Sequence, residues 1–302
     1  MFRVREQIGC SDIVQAGGGK GITIAVLDTG VAKHPDLFGN ILDFKDFTKG
    51  KQAVYDDSGH GTHVCGIACG TGYLSTGRYR GIAPGAGLVV GKVLDEKGDG
   101  TVEAMLAGIS WVIKERERLG IRILNVSVGA GGRLSEEKEI VLKEMLEGAW
   151  KKGIAVICAA GNNGPEEDTL SSIGRSPFLI TVGCHDGEYC KNRENCCASY
   201  SARGSLFDTV RKPDIVAPGT EIISCNGSIR KIRTGYANAY VAKSGTSMAT
   251  PIVSGALALL FKKHPEYDNE TAKRKLLYSA KDLKEPWYQQ GWGMIQVGRM
   301  ME

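Results

Sequence analysis

Long apolar runs and long runs of like charge are both missing from this sequence. No apolar run approaches the roughly 18 residues that a membrane span needs, and residues 1–7 lack the apolar core of a signal peptide. The chain carries 38 basic and 34 acidic side chains, a net charge of +4, without an extended block of one sign. The sequence therefore predicts neither a membrane nor a nucleic-acid partner.

Sequence periodicity is also missing, although glycine is abundant. The 302 residues include 41 glycines, which do not recur at the fixed interval of collagen. Their share is about 14%, roughly twice the usual ~7%. Hydrophobic residues at 42% and charged residues at 24% are typical of a soluble globular protein. Glycine without a period indicates tight turns and places where backbone lies close to backbone or ligand.

Cysteine occurs nine times, so at least one thiol cannot pair within the chain. Without a signal peptide, we expect a cytoplasmic protein with free thiols. A mature fragment of a secreted precursor is the alternative. The first predicted strand begins after residue 20, so we expect residues 1–20 to be a short N-terminal extension with no long propeptide.

Short β-rich apolar runs alternate with helical runs along the chain, and neither a repeat nor a linker interrupts them. The strand-like runs are Ile22–Leu27, Leu88–Leu94, Ile121–Val128, Ile154–Cys158, Phe178–Val182 and Asp214–Val216. The helical runs are Gly61–Gly70, Thr101–Arg118, Ser135–Lys152, Thr246–Lys263 and Asn269–Ala280. Strands that are apolar on both faces are typical of a covered parallel sheet. We therefore expect one α/β domain over residues 1–302, a three-layer sandwich with a mostly parallel central sheet and helices on both faces.

The active site of such a domain lies outside the carboxyl ends of its strands. Asp28-Thr29-Gly30 follows the first strand, where an aspartate either caps a turn or does chemistry. The aspartic-protease reading needs a second Asp-Thr-Gly, which is absent. His60 and His63 begin a helix, but the spacing of four with a glutamate that zinc proteases use is not present. We therefore predict no metal there and expect His63 to be structural.

Two polar side chains stand at the ends of other predicted elements. Asn162 follows the strand Ile154–Cys158 and either forms a turn or directs an amide donor into a cleft. Ser247 begins a long apolar helix. It is either an N-cap or a nucleophile at a helix N-terminus, where N–H groups stabilise a developing negative charge.

Asp28, His60, Asn162 and Ser247 follow one another in this order along the chain. With these residues in this order, the sequence resembles the subtilisin-like serine proteases from about Gly21 to Gly298. Further segments that carry the resemblance are His34-Pro35-Asp36-Leu37, Gly81-Ile82-Ala83-Pro84, Lys92-Val93-Leu94, Asn125-Val126-Ser127-Val128-Gly129 and Lys212–Gly219. Within the family it is most similar to the intracellular, bacterial-type branch, on the residues Ser75–Gly81 and Lys212–Gly219.

This resemblance implies a role for each of the four side chains. Ser247 would be the nucleophile, His60 the base that takes its proton, and Asp28 the group that orients the imidazole. The Asn162 amide and the Ser247 backbone N–H would form the oxyanion hole. No cofactor is required for this chemistry.

The resemblance also implies a cleft in which a peptide or protein substrate lies as an added strand. The residues expected to line it are Gly98, Asp99, Gly100, Ser127, Val128, Gly129, Ala160 and Gly161. Their small side chains are interpreted as leaving room for substrate backbone. Glu166, Glu167 and Asp168 are either a solvated loop or the source of a preference for a basic residue.

The sequence departs from the family pattern in three places. Gly70–Arg80 aligns with a calcium-binding segment of secreted relatives but contains no carboxylate, so we predict no calcium there and leave calcium elsewhere open. Cys65, Cys69 and Cys158 are either small buried hydrophobes or include a reactive thiol near the site. The cluster that comprises Cys184, Cys190, Cys196 and Cys197 holds free thiols, a disulfide or a metal ion.

The predicted function is that of a serine endopeptidase in intracellular protein turnover or in maturation of a precursor or leader peptide. A phosphate site is not predicted, because Gly17–Gly21 lacks the lysine-serine ending and precedes its strand. A non-catalytic relative with a broken triad is the other alternative, but all four catalytic positions are filled. The oligomeric state and the physiological substrate are left open.

Overall fold

A computed structural model of the chain describes residues 1–10, 18–127, 135–190 and 195–302. Its central sheet has seven strands in the order β2-β3-β1-β4-β5-β6-β7, and every neighbouring pair is parallel. The strands are β1 (Thr23–Asp28), β2 (Ile41–Asp46), β3 (Gly87–Lys92), β4 (Ile121–Val126), β5 (Ala155–Ala159), β6 (Ile180–Cys184) and β7 (Ile215–Ala217). The predicted α/β sandwich is confirmed.

The longer helices cover both faces of this sheet. They are α2 (His60–Cys69), α3 (Val102–Leu119), α4 (Glu136–Lys151), α5 (Thr246–Lys263) and α6 (Asn269–Tyr278). Helices α3 and α4 pack on each other on one face, and α2 and α5 pack on each other on the opposite face. None of the helices among the described residues is long and apolar enough to cross a bilayer.

Helix ends follow the local sequence closely. Thr101 Oγ1 accepts a hydrogen bond from the Ala104 N–H at 3.1 Å, which satisfies one of the orphan donors at the start of α3. Gly120 adopts a left-handed conformation at its end, with φ of 61°, where a side chain would be strained. Helix α3 therefore begins and ends close to the limits predicted from the sequence.

Short elements complete the structure around the sheet. They are α1 (Phe2–Gln7), the paired strands β8 (Ile222–Cys225) and β11 (Tyr240–Lys243), the paired strands β9 (Arg230–Ile232) and β10 (Gly235–Ala237), and the one-turn helices α7 (Trp287–Gln290) and α8 (Val297–Met300). Strand β2 was not predicted, because this edge strand alternates partly exposed and exposed residues instead of forming an apolar run.

The core lies between the sheet and its helices. Most of α5 is buried, including Leu257, Leu260 and Phe261, and it packs against β1 and against β4 through β7. Burial of these apolar side chains stabilises the fold by about 25 cal/mol per Å² of apolar surface removed from water. Because α5 begins at Thr246, this packing also places Ser247 against the carboxyl edge of the sheet.

Candidate active site

Asp28 and His60 are joined by a hydrogen bond at the carboxyl end of β1. Asp28 is the last residue of β1 and is fully buried, while His60 is the first residue of α2 and keeps 26% of its side chain exposed. The His60 Nδ1–H donates to Asp28 Oδ1 at 2.7 Å. Because the carboxylate can only accept, this bond selects the tautomer in which Nε2 carries a free lone pair. His60 is thereby equipped to take a proton.

The charge state of His60 reflects three opposing influences. Burial acts to lower its pKa, but the charge and hydrogen bond of Asp28 outweigh burial, and the pKa is raised above the ordinary value of 6.5. The positive charge of Lys243 acts in the lowering direction. The imidazolium that would form during proton transfer is therefore stabilised mainly by Asp28.

Asp56 holds the start of α2 and was not singled out from the sequence. Its Oδ1 accepts from the Thr29 hydroxyl at 2.9 Å and from the Gly59 N–H at 2.8 Å, and its Oδ2 accepts from the Thr62 N–H and hydroxyl at 2.9 and 2.6 Å. The acid-rich stretch just before the His60 helix carries the usual signal of a helix start. Asp56 therefore connects the end of β1 to the helix that carries His60.

Gly61 lets α2 approach the strand end closely. A Cβ at this position would lie 2.2 Å from the Gly30 carbonyl oxygen and 3.1 Å from Asp28 Oδ1. No side chain fits at the first distance, so the glycine after His60 is required by packing within the chain.

His63 is structural, as predicted. It is fully buried, and its Nε2 lies 2.9 Å from the Ile222 carbonyl oxygen and 3.1 Å from that of Val241. Burial lowers its pKa to about 3, so it stays neutral and donates from Nε2. His63 thus ties α2 to β8 and β11.

Asn162 meets the start of α5 through its amide oxygen. Oδ1 accepts from the Thr246 N–H and from the Thr246 hydroxyl, both at 3.1 Å. With the oxygen held in this way, the Nδ2 group is left to donate elsewhere. A Cβ on Gly245 would lie 3.4 Å from Nδ2, which places this donor beside the turn that leads into Ser247.

Ser247 lies in the first turn of α5, where backbone N–H groups have no partner within the helix. Among the described residues, no hydrogen bond joins Ser247 Oγ to His60 Nε2. Catalytic hydrogen bonds are often long without substrate and tighten when it binds. The structure thus brings Asp28 to His60 and Asn162 to the helix start that carries Ser247.

The expected substrate-lining residues have different environments. Ala160 and Ser127 are buried, and the Ser127 hydroxyl accepts from Asn125 Nδ2 at 2.8 Å. Gly161 has a φ of 102°, which only glycine adopts readily. Val128 and Gly129 lie outside the described residues.

The structure gives a local reason for glycine at both ends of the Gly98–Gly100 segment. A Cβ on Gly100 would lie 2.7 Å from the Val93 carbonyl oxygen, so packing within the chain already requires this glycine. A Cβ on Gly98 would meet no atom within 4 Å, and its φ of 86° calls for glycine. Packing within the chain is therefore a further reason for glycine at position 100, and room for substrate backbone stays a prediction for Gly98 and Gly100. Asp99 accepts a hydrogen bond through its carbonyl from the Asp95 N–H and shapes the same loop.

Four of the nine cysteines form disulfides, Cys184–Cys197 and Cys190–Cys196. Of the alternatives left open, the structure has the disulfide. Gly219 lies between the Cys184 sulfur and the turn before Ser247, since a Cβ on Gly219 would lie 2.5 Å from Cys184 Sγ and 2.7 Å from the Gly245 oxygen.

The remaining cysteines are free and buried. They are Cys10, Cys65, Cys69, Cys158 and Cys225. Burial raises the pKa of Cys158 to about 12 and that of Cys65 well above its ordinary value. Since the thiolate is the reactive form, these environments favour the interpretation as small hydrophobes.

The Gly70–Arg80 segment receives a cation from the protein itself. Arg5, on α1, is 7% exposed, and its guanidinium donates to the carbonyl oxygens of Arg80 at 2.5 Å, Gly77 at 3.2 Å and Arg78 at 3.5 Å. Calcium prefers oxygen ligands, usually with several carboxylates. These carbonyl oxygens already accept from a guanidinium, so the segment does not fit the ion.

Asp36 is a carboxylate that contacts this segment, and it too is engaged. Its Oδ1 accepts from the Leu74 N–H at 3.0 Å, and its Oδ2 accepts from the Tyr240 hydroxyl at 2.7 Å. The segment is therefore held by hydrogen bonds from Arg5 and to Asp36.

Comparisons of the sequence and the fold with known proteins point to one family. The model of the subtilase family matches residues 19–293. Serine protease AprX of Bacillus subtilis (strain 168) is 41% identical over 268 residues, which are 85% of this chain and 61% of AprX. Subtilisin DY of Bacillus licheniformis is 32% identical over 292 residues, 95% of this chain and 94% of that protein.

A solved structure, Sphericase, has a TM-score of 0.82 at 30% identity, with 98% of this chain and 97% of that chain covered. The chain spans 61% and 63% of the length of two curated relatives, AprX and a subtilisin of Bacillus sp. (strain TA39). Because the family match takes in most of the chain and the fold agrees along nearly all of it, the chain belongs to the subtilase family, the family of the subtilisin-like serine proteases.

Proposed function

We propose that this chain is a serine endopeptidase in which Ser247, His60 and Asp28 form the catalytic triad. The observation that carries the proposal is the Asp28–His60 hydrogen bond of 2.7 Å, which leaves His60 Nε2 as an acceptor. Membership of the subtilase family and the position of Ser247 at the start of α5 agree with it.

The first half of the reaction forms an acyl-enzyme. Ser247 Oγ attacks the scissile carbonyl carbon while His60 Nε2 takes the hydroxyl proton, which gives a tetrahedral intermediate and an imidazolium stabilised by Asp28. The intermediate collapses as His60 returns this proton to the leaving amine and the C–N bond breaks. Water then attacks the ester in the same way and releases the acid product and Ser247.

The negative oxygen of the tetrahedral intermediate needs donors that are already in place. Asn162 Nδ2 and the Ser247 backbone N–H are the proposed donors, since Oδ1 of Asn162 is engaged by Thr246. Donors that are held rigidly in this way need no reorganisation when charge develops.

The proposed substrate is an extended peptide segment of a protein. We expect it to contact the residues predicted to line the cleft and to pair through main-chain hydrogen bonds. These residues are Gly98–Gly100, Ser127–Gly129, Ala160 and Gly161. Asp168 pairs with Arg175, so only the exposed Glu166 and Glu167 would act in the alternative of a preference for a basic residue. These assignments treat residues 1–302 as one domain, since the triad runs from Asp28 to Ser247.

The test is labelling by a fluorophosphonate probe, followed by peptide hydrolysis. The parent should react with the probe, and Ser247→Ala should not react and should lose about 10⁶ in kcat, the size of loss that removing a triad serine causes in this enzyme class. Ser244→Ala, an exposed serine in the preceding turn, is the matched control. Probe labelling that persists in Ser247→Ala would exclude Ser247 as the nucleophile, and a parent that does not react with the probe would favour a non-catalytic relative.

The biological role proposed is protein turnover or maturation of a precursor. The sequence predicts a cytoplasmic enzyme, whereas the disulfides Cys184–Cys197 and Cys190–Cys196 favour the secreted alternative, because such bonds persist in oxidising compartments. Counting free thiols in denatured enzyme purified from its native source, cells and medium alike, decides between them: five favour the secreted alternative and nine the cytoplasm.

A further inference from the structure

An exposed β-ribbon, which we call the basic arm, covers residues 226–239 between β8 and β11. Strands β8 and β11 are antiparallel, with Cys225 opposite Tyr240 and Ile222 opposite Lys243. Beyond them the chain continues as β9 and β10, also antiparallel, with Ile232 opposite Gly235. The basic arm is thus a β-hairpin, formed by β9 and β10, that extends from the antiparallel pair of β8 and β11.

The outer part of the basic arm has no buried face. Every residue of β9 is exposed, and in β10 Gly235 and Tyr236 are exposed. Ile232 and Tyr236 keep 47% and 42% of their surface in solvent. A two-stranded ribbon without a packed face adds little to the stability of a fold. Its side chains are instead presented to whatever binds at the surface.

The root of the basic arm lies against the catalytic residues. A Cβ on Gly227 would lie 2.6 Å from Gly59 Cα, and Gly59 immediately precedes His60. At the other end, β11 leads through a short turn into Thr246 and Ser247. The arm therefore contacts the residue before the proposed base, and its supporting strand ends four residues before the proposed nucleophile.

The arm carries cations that are not neutralised. Arg230, Lys231 and Arg233 follow one another closely, and Lys243 lies on the supporting strand. Across residues 1–10, 18–127, 135–190 and 195–302, none of these four forms an ion pair.

Nearby carboxylates are already committed to other partners. Asp57 pairs with Lys92 and Lys49, and Asp28 pairs with His60. The charge of Lys243 reaches the site, because it acts to lower the pKa values of both His60 and His63. At His60 itself the charge of Asp28 outweighs that of Lys243. The arm and Lys243 therefore carry cations without an ion-pair partner among the described residues.

We propose that the basic arm and Lys243 bind carboxylates in the part of the substrate that follows the scissile bond, and so select acidic peptide segments there. The proposal rests on the proposed endopeptidase function. The side of the bond follows from the chemistry: His60 gives its proton to the leaving amine, so the leaving segment passes His60 and the adjoining root of the arm. Arginine forks suit carboxylates with two parallel hydrogen bonds.

The contacts are exposed, so each contributes little and all weaken with salt. Together the four cations are expected to give about tenfold selectivity for acidic over neutral segments at low ionic strength.

The test uses two quenched fluorescent peptides that differ only after a mapped cleavage bond, with glutamate at two positions in one and glutamine in the other. The parent should show a kcat/KM about ten times higher for the glutamate peptide. Arg230→Gln/Lys231→Gln/Arg233→Gln should reduce this ratio to within about twofold of one.

A matched variant removes the same charge from the opposite face of the sheet. Lys138, Lys151 and Lys152 are exposed residues on or just after α4, which packs with α3 away from α2. Their triple change to glutamine should leave the glutamate-to-glutamine ratio at the parent value. A third peptide with glutamate only before the cleavage bond should show no advantage over its glutamine counterpart.

Peptide binding to the Ser247→Ala variant tests the role of the basic arm separately from the proposed endopeptidase activity. Labelled glutamate peptide should bind Ser247→Ala about tenfold more tightly than the glutamine peptide, and the triple change in the arm should abolish the difference. A ratio near one in the parent, a ratio that the arm variant does not change, or a preference confined to residues before the bond would each overturn the proposal. If no peptide is cleaved, the endopeptidase function fails, and binding to Ser247→Ala alone decides whether the arm recognises acidic segments.

Discussion

At the scale of single residues, His60 lies between a buried carboxylate and an uncompensated cation. Its pKa is raised above 6.5 because Asp28 outweighs burial, and below that pKa Nε2 is protonated and cannot accept the serine proton. We therefore expect kcat/KM on a neutral peptide to fall on acidification, with a midpoint above pH 6.5. Lys243→Gln should move the midpoint upward, because it removes a charge that lowers the pKa. A midpoint below 6.5 in the parent would contradict the assigned role of Asp28.

Asn162 is held by its oxygen and donates with its nitrogen, so a change to alanine tests the oxyanion hole. Asn162→Ala should lower kcat by about 10²–10³ with a smaller change in KM, because the donor acts on charge that exists only in the transition state. Asn163→Ala, a change to the exposed neighbouring amide, is the control and should retain kcat. Equal values of kcat for the two variants would remove Asn162 from the hole.

The proposed triad residues could be singled out from the sequence because each lies next to a strand or helix end with a recognisable motif. Asp56 and Arg5 could not. Asp56 acts through hydrogen bonds to Thr29 and Thr62 that appear only when β1 and α2 meet. Arg5 reaches carbonyl groups more than 70 positions away along the chain. Contacts of this kind depend on the folded arrangement. The acidic residues before α2 indicate a helix start, but they do not indicate the partners of Asp56.

At the scale of elements, the contact between α1 and the Gly70–Arg80 segment can be broken with one change. Arg5→Met keeps most of the buried stem but removes the donors. The carbonyl oxygens of Arg80 and Arg78 then lose this donor, while that of Gly77 keeps the Arg80 N–H. We expect a loss of about 3 kcal/mol in the free energy of unfolding, since each orphaned group costs about 1–3 kcal/mol. The urea midpoint measures this loss. Arg78→Met, which alters an exposed side chain of the same segment, should change it little.

The hydrogen bonds from Arg5 also predict how the Gly70–Arg80 segment responds to calcium. A chelator and added calcium should both leave protease cleavage within Gly70–Arg80 unchanged in the parent, because Arg5 already satisfies the carbonyl groups of this segment. Calcium-dependent protection of these bonds would show that the segment takes up the ion despite Arg5.

Most strands and helices were predictable because their apolar residues recur with a clear period, as in α3 and β5. Strand β2 and the basic arm were not. Strand β2 pairs only at the edge of the sheet and alternates polar with apolar residues. Strands β9 and β10 have no apolar face at all, so no hydrophobic pattern marks them.

At the scale of the whole molecule, a buried ionic cluster joins β6, β7 and α6. Lys212 and Lys273 both pair with Asp214, at 2.5 and 3.1 Å, and both donate to the Leu179 carbonyl oxygen. Burial lowers the pKa of Lys212 to about 8, with Asp214 acting in the opposite direction. Asp214 is therefore the anion that keeps two buried ammonium groups together.

Asp214→Asn should be strongly destabilising, because it leaves two neighbouring cations without a counter-charge. We expect a loss of about 3–5 kcal/mol in the free energy of unfolding, measured by urea denaturation. Asp282→Asn removes the partner of Lys284 in an exposed pair and should leave the urea midpoint near that of the parent. Similar midpoints for the two variants would mean that the buried cluster contributes no more than the exposed pair.

The two ends of the basic arm leave the body side by side, because the Asn226 N–H donates to the Ala239 oxygen at 3.0 Å. A segment whose ends already meet can change in length with little further cost in closure entropy. We therefore expect the arm to tolerate changes of charge or replacement of its tip. The central sheet, the proposed triad and the buried core should stay unchanged. Selectivity and catalytic power can then diversify independently in such an enzyme.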